Sequence, residues 1–483
     1  MTASTSPHPF DATASSLGEL AQVQERLART EAAVSRFVPD GLVRLLGAQN
    51  LTDLRRGQHL ETTMTVLFTD IRNFTQQSEN MTAAQTYAFI NDYLGSMEPA
   101  IEANGGFIDK FIGDAIMALF PRSADDAVQS AIDMLNRLEK GNERRQRKQP
   151  LPAHVQHDRR TRQSQLPTRI GIGLNTGIVM LGLVGGMRRQ ELTVLSDAVN
   201  LSSRLESMTK TYGISLLISE QTLYNLHDPN RYCVRFVDRI RVKGKTQPHS
   251  VYEVFDADLP ALREGKLATR HAFEEAVAYY HLKEIDRAEP LLQACIDQVP
   301  DDQPAQTYLS RCREYRATGV HHATGEIGTE LVWRNEFLVG NSLIDGQHQE
   351  LLMHINDLAA KVATGNFVGI DDIMQFIGRY AQMHFETEEA IMHRLRYPHI
   401  ASHVQEHRSF TQRYLRLADD IAHQRHSRLY LGFQIQLFLF DWFANHTTRT
   451  DRYLTRFIAS QADGTATTDR LSPASADAPQ SFF

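Results

Sequence analysis

Two aspartates border short apolar runs, at positions where carboxylates can bind divalent cations. Asp70 ends the run TVLFTD, and Asp114 stands before the run AIMALF. Phosphoryl chemistry uses paired divalent cations held between carboxylates and phosphate oxygens. Mg²⁺ prefers oxygen ligands, and the backbone carbonyl of Ile71 is a further candidate. A single aspartate at a strand end is more often only a turn former, so the interpretation depends on the surrounding residues.

Seven histidine and carboxylate residues in the last third of the chain have the types and spacing of a metal centre. HFETE and HVQEH each hold two of them four residues apart, and residues at that spacing share one helix face. HTTRTD holds two more, five residues apart. A lone histidine on a helix is more often a surface or core residue, but three such pairs favour a metal site. The seven positions are His348, His384, Glu388, His403, His407, His446 and Asp451.

The composition is that of an ordinary globular protein. The net charge of −7 over 483 residues argues against nucleic-acid binding, for which a strongly basic face is expected. The three cysteines are too few and too scattered for a disulfide framework, which predicts a reducing, cytoplasmic location. The apolar stretch 429–443 is too short and too polar to span a bilayer, so no membrane partner is expected.

The elements that must position the two aspartates alternate between strand and helix patterns. TVLFTDI, DAIMALF, RIGIGLNTG and SLLIS read as buried strands with helical stretches between them, which predicts an α/β domain. The basic segment 141–167 interrupts this pattern and is interpreted as a solvated loop. After Leu331 the pattern is helical and rich in histidine, which predicts an all-α domain.

Changes of pattern divide the chain into segments. Apolar residues at heptad spacing before Pro39 predict an amphipathic helix that either packs on its own domain or forms a dimer. Residues 257–316 are similar to a single tetratricopeptide-type helical hairpin, which cannot bury its own apolar face alone. The predicted segments are a disordered N-terminus (1–16), the amphipathic helix region (17–49), the α/β domain (50–256), the helical hairpin (257–316), a flexible linker (317–330), the histidine-rich domain (331–460) and a disordered tail (461–483).

Three motifs of the α/β domain, in this order, resemble the class III adenylate and guanylate cyclase catalytic domain. They are VLFTDIRNFT, GGFIDKFIGDAIMALF and LTVLSDAVNLSSRLE. The resemblance covers residues 50–256 and implies a ferredoxin-like fold. It also implies that Asp70 and Asp114 hold two Mg²⁺ or Mn²⁺ ions. The chain departs from the family at Ser196, where the family often has glycine; serine is also small, so the departure puts little in doubt.

The resemblance further implies which residues bind the nucleotide. Lys110 and Thr193 match the positions that read the purine base, and lysine favours adenine because guanylate cyclases typically place glutamate there. Asn200 matches the asparagine that orients the ribose. Arg204 matches the arginine that stabilises charge on the α-phosphate, a task that suits a guanidinium because it pairs two phosphate oxygens at once.

The same resemblance implies a homodimer. In this family the metal-binding aspartates of one protomer face the base, ribose and phosphate residues of the other, so one chain with both sets forms two shared sites. Either Lys243 or Lys245, in the segment RVKGK, would contact the terminal phosphates, and the sequence does not choose between them.

The histidine-rich domain resembles bacterial hemerythrin domains over residues 331–460, from WRNEFLVGNSLIDGQHQEL to WFANHTTRTD. The resemblance implies a non-haem di-iron centre, and imidazoles with carboxylates inside a four-helix bundle suit iron. It implies one iron on His403, His407 and His446, a second iron on His348 and His384 with a position open to O₂, and bridging by Glu388 and Asp451.

Together the two resemblances predict a multidomain adenylate cyclase. It would convert ATP to 3′,5′-cyclic AMP and pyrophosphate, and would respond to O₂, redox state or NO at the di-iron centre through the helical hairpin. Three alternatives stay open at this point. They are a guanylate cyclase with the same sensor, an inert cyclase domain on an oxygen-binding or iron-buffering protein, and a dimeric interaction protein.

Overall fold

The computed structural model describes residues 9–34, 37–148, 167–186, 189–241, 248–322, 330–423 and 426–464. Within these ranges eight strands form one mixed sheet in the order β2-β3-β1-β4-β6-β8-β7, with β5 paired to β4. The strands are β1 (His59–Ile71), β2 (Phe107–Ile112), β3 (Ala115–Phe120), β4 (Ile170–Gly185), β5 (Gln190–Leu195), β6 (Leu216–Ser219), β7 (Val234–Arg241) and β8 (Pro248–Val254).

Helices connect these strands and cover the sheet. The order β2-β3-β1-β4, with one helix before β2 and one after β3, is the ferredoxin-like arrangement, which confirms the predicted fold class. The helices of this domain are α1 (Pro9–Val34), α2 (Asp40–Leu45), α3 (Phe74–Ser78), α4 (Ala83–Ala103), α5 (Ala124–Lys148), α6 (Asp197–Tyr212) and α7 (Glu220–Tyr224).

Strand β1 lies inside the sheet, between β3 and β4, and side chains on both of its faces are buried. It pairs antiparallel with β3 on one side and along its whole length with β4 on the other. Successive side chains of a strand point to opposite faces. Leu67 therefore joins the core formed with α4 and α5, whereas Val66 and Phe68 join the smaller core beneath α2. The strand ends at Asp70 and Ile71, so these two residues lie at the edge of the core.

Local signals fix the ends of α6, the helix that carries two predicted catalytic residues. Ser196 caps the N-terminus by accepting a hydrogen bond from the amide of Ala198 at 3.0 Å. The helix ends at Gly213, whose φ of +68° is a conformation that glycine adopts without strain. The helix packs along β4, its largest neighbour in the sheet.

The segment after the sheet forms three helices, α8 (Pro260–His281), α9 (Ile285–Gln298) and α10 (Gln303–Thr318), rather than the single hairpin expected from the sequence. The chain turns between α9 and α10 because Pro300 has no amide hydrogen to continue a helix, and Pro304 is in the first turn of α10. The hydroxyl of Tyr308 donates to the carbonyl of Val237 at 2.8 Å, so these helices pack on the sheet domain.

The C-terminal domain is a four-helix bundle, as predicted. Its first three helices are α11 (Ser342–Thr364), α12 (Ile370–Leu395) and α13 (Ile400–Ala422). The fourth is a composite helix, formed by α14 (Arg428–Ile435), a π-helical segment (Gln436–Phe440), α15 (Asp441–Asn445), a second π-helical segment (His446–Asp451) and α16 (Arg452–Gly464).

The chain ends differ in part from the sequence prediction. Helix α1 is described from Pro9 onward, so it includes part of the segment 1–16 that composition predicts to be disordered. Most of the predicted basic loop, residues 149–166, lies outside the described residues, as do 323–329 and 465–483. Among the helices that are described, none combines the length and apolar character needed to cross a bilayer.

Candidate active site and candidate metal centre

Asp70 and Asp114 lie side by side, as the sequence predicts. Asp70 is near the end of β1, and Asp114 is in the turn between β2 and β3, after Gly113 with its φ of +67°. The two carboxyl groups lie close enough for Asp70 to act on the ionisation of Asp114. Burial, followed by this contact with Asp70, raises the pKa of Asp114 to about 7. Two carboxyl groups this close repel each other when both are ionised, and a bound cation would relieve that repulsion.

The surroundings of this acidic pair fit divalent cations. Asp114 Oδ2 is buried and, within the described part of the chain, has no hydrogen-bond partner. The amide of Ile71 donates to Asp70 Oδ1 at 3.1 Å and orients that carboxylate. A buried oxygen without a donor is costly unless something else neutralises it. These oxygens are the ligand type that Mg²⁺ and Mn²⁺ take.

A third carboxylate near the acidic pair was missed by the sequence analysis. Burial, followed by the charge of Asp70, raises the pKa of Glu206 on α6 to about 7. The guanidinium of Arg72 partly offsets this effect, and it is held in place by hydrogen bonds of 2.7 Å to Thr209 Oγ1 and to the carbonyl of Ile214. The motif NLSSRLE gives no sign that this glutamate lies near a strand end, because the approach of α6 to β1 is a tertiary contact.

The two predicted base-reading residues lie on neighbouring hairpins. Lys110 is on β2 and forms an ion pair with Glu191 at the start of β5. Thr193, also on β5, donates a hydrogen bond of 3.4 Å to Asp109 Oδ2. The same oxygen is 3.7 Å from Lys110 Nζ. Asp109 therefore touches both predicted base-reading side chains, although the sequence analysis did not single it out.

Asn200 and Arg204 lie on α6 and are both exposed. They line a cleft of about 700 Å³ between α6 and the helical bundle. Within the described residues, no hydrogen bond or ion pair joins Lys110, Thr193, Asn200 or Arg204 to the acidic pair. The predicted Lys243 and Lys245 fall in 242–247, outside the described residues.

The seven predicted iron-binding side chains meet in the interior of the bundle, and each is at most 2% exposed. They form two groups that share Glu388, and the ligand atoms of each group lie within 4.8 Å of one another. The first group is Glu388, His403, His407 and His446, and the second is His348, His384, Glu388 and Asp451. This division is the one that the resemblance implies.

The carboxylates lie between the two groups of imidazoles. Glu388 Oε2 is 3.2 Å from His403 Nε2 and 3.8 Å from His384 Nε2. Asp451 Oδ1 is 3.0 Å from His446 Nε2, and its Oδ2 is 3.1 Å from His348 Nε2. Each carboxylate thus reaches both groups, and Glu388 Oε1 is buried without a hydrogen-bond partner among the described residues. Imidazoles and bridging carboxylates of this kind fit a pair of iron ions.

The π-helical segment brings His446 and Asp451 onto one side of the fourth helix. In an α-helix, residues five apart are about 140° apart around the axis. The i→i+5 hydrogen bonds of a π-helix rotate them towards the same face. The segment His446–Asp451 is therefore needed for both residues to point into the centre. The i, i+5 spacing was visible in the sequence, but the π-helix was not predicted.

Burial and pairing set the electrostatics of the centre. Burial alone would raise the pKa of Glu388, but the charge of His384 and hydrogen bonds from the other imidazoles hold it well below its usual value. The outer nitrogens of three imidazoles are also bound, which orients the rings. These second contacts join His446 to Glu406 at 2.9 Å, His407 to Glu389 at 3.0 Å and His384 to Gln347 at 3.0 Å.

The bundle packs directly on the sheet domain through buried polar contacts. Arg239 on β7 forms a buried two-bond ion pair with Asp441, and its Nε donates to Asp441 Oδ2 at 2.8 Å. Asn445 donates to Glu220 on α7 at 3.1 Å. Arg449, inside the second π-helical segment, contacts His249 Nε2 at 3.0 Å. The route between the two domains is therefore not limited to the helices α8–α10 that the sequence analysis proposed.

Comparison with known proteins assigns each domain to a family. Residues 58–254 match the model of the adenylate and guanylate cyclase catalytic domain, and residues 339–458 match that of the hemerythrin HHE cation-binding domain. Adenylate cyclase of Anabaena cylindrica is 40% identical over 232 residues, which are 47% of this chain and 44% of that protein. A terminal-differentiation-specific adenylate cyclase of Dictyostelium discoideum is 34% identical over 306 residues, which are 60% of this chain and 13% of that protein.

The chain thus spans less than half the length of these two relatives. Among solved structures, the adenylyl cyclase CyaB from P. aeruginosa is 30% identical, with 41% of this chain and 96% of that chain covered at a TM-score of 0.34. The two family matches do not overlap and follow each other along the chain. The chain thus carries a catalytic domain of the adenylate and guanylate cyclase family, joined to a hemerythrin HHE domain.

Proposed function

We propose that the protein is an adenylate cyclase that converts ATP to 3′,5′-cyclic AMP and pyrophosphate. The observation that carries this proposal is the adjacent pair Asp70 and Asp114, where a buried oxygen has no donor among the described residues. The same domain carries Lys110, the predicted base-reading residue. The adenylate cyclases among the relatives agree with it. A guanylate cyclase is the second candidate, since the matched family includes both activities.

In this proposal each side chain has one task. Divalent cations at Asp70 and Asp114 would supply charge stabilisation for the phosphates and the attacking ribose oxygen. Lys110 donates to the adenine ring, and Asn200 orients the ribose. The 3′ oxygen forms a bond to the α-phosphorus, the bond to pyrophosphate breaks, and the hydroxyl proton leaves to solvent. Arg204 stabilises the negative charge that grows on the α-phosphate oxygens during this step.

The proposed enzyme acts as a homodimer with shared sites. Asn200 and Arg204 are exposed, and among the described residues no hydrogen bond or ion pair joins them to the acidic pair. In the proposal a second copy brings the two sets together. Exposed apolar side chains on β2, β4 and β5 support such an interface, because groups of exposed apolar residues often mark protein–protein contacts. They are Phe111, Ile112, Met180, Val184 and Leu195.

The test of the proposed activity is direct. Purified full-length protein with Mg²⁺ or Mn²⁺ is given ATP or GTP in separate reactions, and both cyclic nucleotides are quantified. We expect cyclic AMP to dominate, and Asp70→Ala to remove it. Asp92→Ala, at an exposed position on α4, is the matched control and should retain activity. A preference for GTP would make the protein a guanylate cyclase instead. If Asp70→Ala formed as much cyclic nucleotide as the unaltered protein, the proposed catalytic role of this domain would be overturned.

We propose further that the hemerythrin domain regulates the cyclase through a di-iron centre. When bound by the seven clustered side chains, two iron ions would supply a position for O₂ or another small ligand and a redox change. What supports regulation is the direct contact between the domains. Asn445 precedes the π-helical segment that carries two predicted ligands, and Arg449 lies within it; both side chains bond to the cyclase domain.

Three hydrogen bonds and one peptide bond lead from this contact to the helix that carries Asn200 and Arg204. Glu220, the partner of Asn445, is the first residue of α7 and follows Ser219. Ser219 Oγ donates to Asn175 Oδ1 at 2.7 Å. Asn175 Nδ2 donates at 3.0 Å to the carbonyl of Ala198, in the first turn of α6. A ligand shifts the cyclase equilibrium only through its different affinity for two arrangements, and this series connects the two sites that must differ.

The experiment for regulation uses iron-loaded full-length protein assayed in parallel under air and under argon. We expect different cyclase rates under the two gases. His403→Ala, which removes one predicted ligand, should give equal rates under both. Equal rates for the unaltered protein would remove the regulatory proposal and leave the catalytic one standing.

A further inference from the structure

The strand that carries Lys110 contains an irregularity that changes where its neighbour points. In the β2–β3 ladder, Ile108 is opposite Ala118 and Lys110 is opposite Met117, so Asp109 is the extra residue of a β-bulge. In a regular strand, adjacent side chains point to opposite faces. A bulge redirects one of them and is frequent beside active sites. Here the Asp109 carboxylate lies near both Lys110 Nζ and Thr193 Oγ1.

Asp109 is buried at this position with incomplete pairing. Its side chain is 0% exposed, whereas that of Lys110 is 30% exposed. One carboxylate oxygen accepts from Thr193 Oγ1 at 3.4 Å and lies 3.7 Å from Lys110 Nζ. The other oxygen, Oδ1, has no hydrogen-bond partner within the described residues. A buried carboxylate without full pairing destabilises a fold, so its position calls for a functional reason.

The contact determines the direction of the Thr193 hydroxyl. A hydroxyl has one proton to donate and two lone pairs to accept with. An ionised carboxylate only accepts, so the hydroxyl proton of Thr193 must point to Asp109. Only the lone pairs of the Thr193 oxygen then remain for a bound base, so Thr193 can only accept a hydrogen bond from it. Without Asp109 the hydroxyl would rotate freely and could donate or accept.

We infer that Asp109 is a specificity-determining residue, which makes Thr193 a fixed hydrogen-bond acceptor and thereby favours adenine over guanine. Adenine presents its 6-amino group as a donor, and guanine presents its 6-oxo group as an acceptor at the same place. A fixed acceptor at Thr193 pairs with the 6-amino group of adenine and repels the 6-oxo group of guanine. Lys110, a pure donor, suits the ring nitrogen N1 of adenine, which carries no proton, and opposes the protonated N1 of guanine. This inference rests on the proposed cyclase activity and on the base-reading position of Thr193.

The primary experiment measures kcat/KM for ATP and for GTP on the full-length protein and on Asp109→Ala. We expect the ATP:GTP ratio to fall by about tenfold, since one base-edge hydrogen bond discriminates to roughly that extent. A loss of activity with an unchanged ratio would mean a purely structural role and would overturn the inference. Competition by 3′-deoxy-ATP and 3′-deoxy-GTP measures the preference between the two bases as a ratio of binding constants, even for a slow variant.

A double-substitution cycle tests whether Asp109 acts through Thr193. In the Thr193→Ala background, Asp109→Ala should leave the ATP:GTP ratio unchanged, because the hydroxyl it orients is gone. A further tenfold fall in that background would contradict the proposed route. Glu191→Gln is the matched control, since Glu191 also pairs with Lys110 but does not contact Thr193 in the described structure. It should change the ratio less than Asp109→Ala does.

The outcomes separate this inference from the proposed function. If the unaltered protein forms no cyclic nucleotide from ATP or GTP and binds neither 3′-deoxy nucleotide, the proposed function fails. If it forms cyclic AMP but Asp109→Ala keeps the original ratio, only the role of Asp109 fails.

Discussion

Asn445, the residue before the predicted iron ligand His446, donates its side-chain amide to the buried carboxylate of Glu220 at 3.1 Å. Glu220 also pairs with His249 Nδ1 at 2.9 Å and accepts from the amide of Ser250 at 2.8 Å. One carboxylate of the cyclase domain is thus bonded at once to its own sheet and to the bundle. A rotation of the π-helical segment would break or lengthen one of these buried bonds, which is costly in a low-dielectric interior.

The first prediction concerns this bond. Asn445→Ala should bring the ratio of cyclase rates under air and argon close to one, because the segment beside His446 can then move without moving α7. The rate without iron should stay within about threefold of the unaltered protein, since Asn445 is not in the catalytic machinery. Cyclic AMP production under the two gases is the measurement.

A control at the same interface distinguishes this effect from loosened packing. Ser402 on α13 donates to Asn225 Oδ1 at 2.7 Å but does not contact the π-helical segment in the described structure. Ser402→Ala should therefore keep the response to gas. Loss of the response in Ser402→Ala as well would mean that general contact between the domains, and not the Asn445–Glu220 bond, carries the effect.

The second prediction tests shared sites. Asp70→Ala and Arg204→Ala should each lower activity by about a hundredfold or more when assayed alone. When the two variants are co-expressed, or refolded together, in equal amounts, they should recover about a quarter of the unaltered activity. Half of the dimers then contain one copy of each variant, and each such dimer has one complete site out of two. A mixture no more active than its components would contradict the shared arrangement.

The third prediction concerns iron binding. Glu388→Gln should weaken iron binding by more than about tenfold, because the shared carboxylate of both ligand groups loses its charge. Glu386→Gln, two residues away on the exposed side of α12, is the matched control and should bind iron normally. Metal analysis after dialysis against a graded chelator series is the measurement, and equal iron content in the two variants would count against the assigned centre.

The fourth prediction concerns pH. Burial, partly offset by Lys110 and Thr193, raises the pKa of Asp109 to about 6. Above that pH the carboxylate is ionised and fixes the Thr193 hydroxyl; below it the protonated group can itself donate, so the preference for ATP is lost. The ATP:GTP ratio should therefore fall as pH decreases through about 6.

Other groups near Asp109 should not produce this profile. Glu191 is held below its usual pKa by the hydrogen bond and charge of Lys110, so it stays ionised over the same range. The ATP:GTP ratio is also unaffected by ionisation of any group that changes the rates for both substrates equally. Asp109→Ala should give a flat ratio over this range. A falling ratio in that variant would show that a different group is responsible.

Local sequence patterns predicted much of the architecture. Short apolar runs with strand periodicity correspond to β1, β3, β4 and β6, because alternation and burial are properties of the strand itself. Asp70 and Asp114 stood out because they border such runs, and the resemblance to the cyclase family made them a predicted metal-binding pair. The histidine pairs were found because i, i+4 spacing on a helix is itself a geometric statement. The third helix after the sheet was missed, although Pro300 and Pro304 mark the turn before it.

The sequence by itself determined the strands and helices and the residue pairs that one element places together, and the family resemblances joined those pairs into two predicted sites. Only the tertiary structure decided that Asp109 contacts Thr193 and that Asn445 contacts Glu220. The first contact needs a bulge in β2 and the pairing of β5 with β4, and the second joins residues 225 positions apart. Such contacts depend on the packing of whole elements, which no local periodicity encodes.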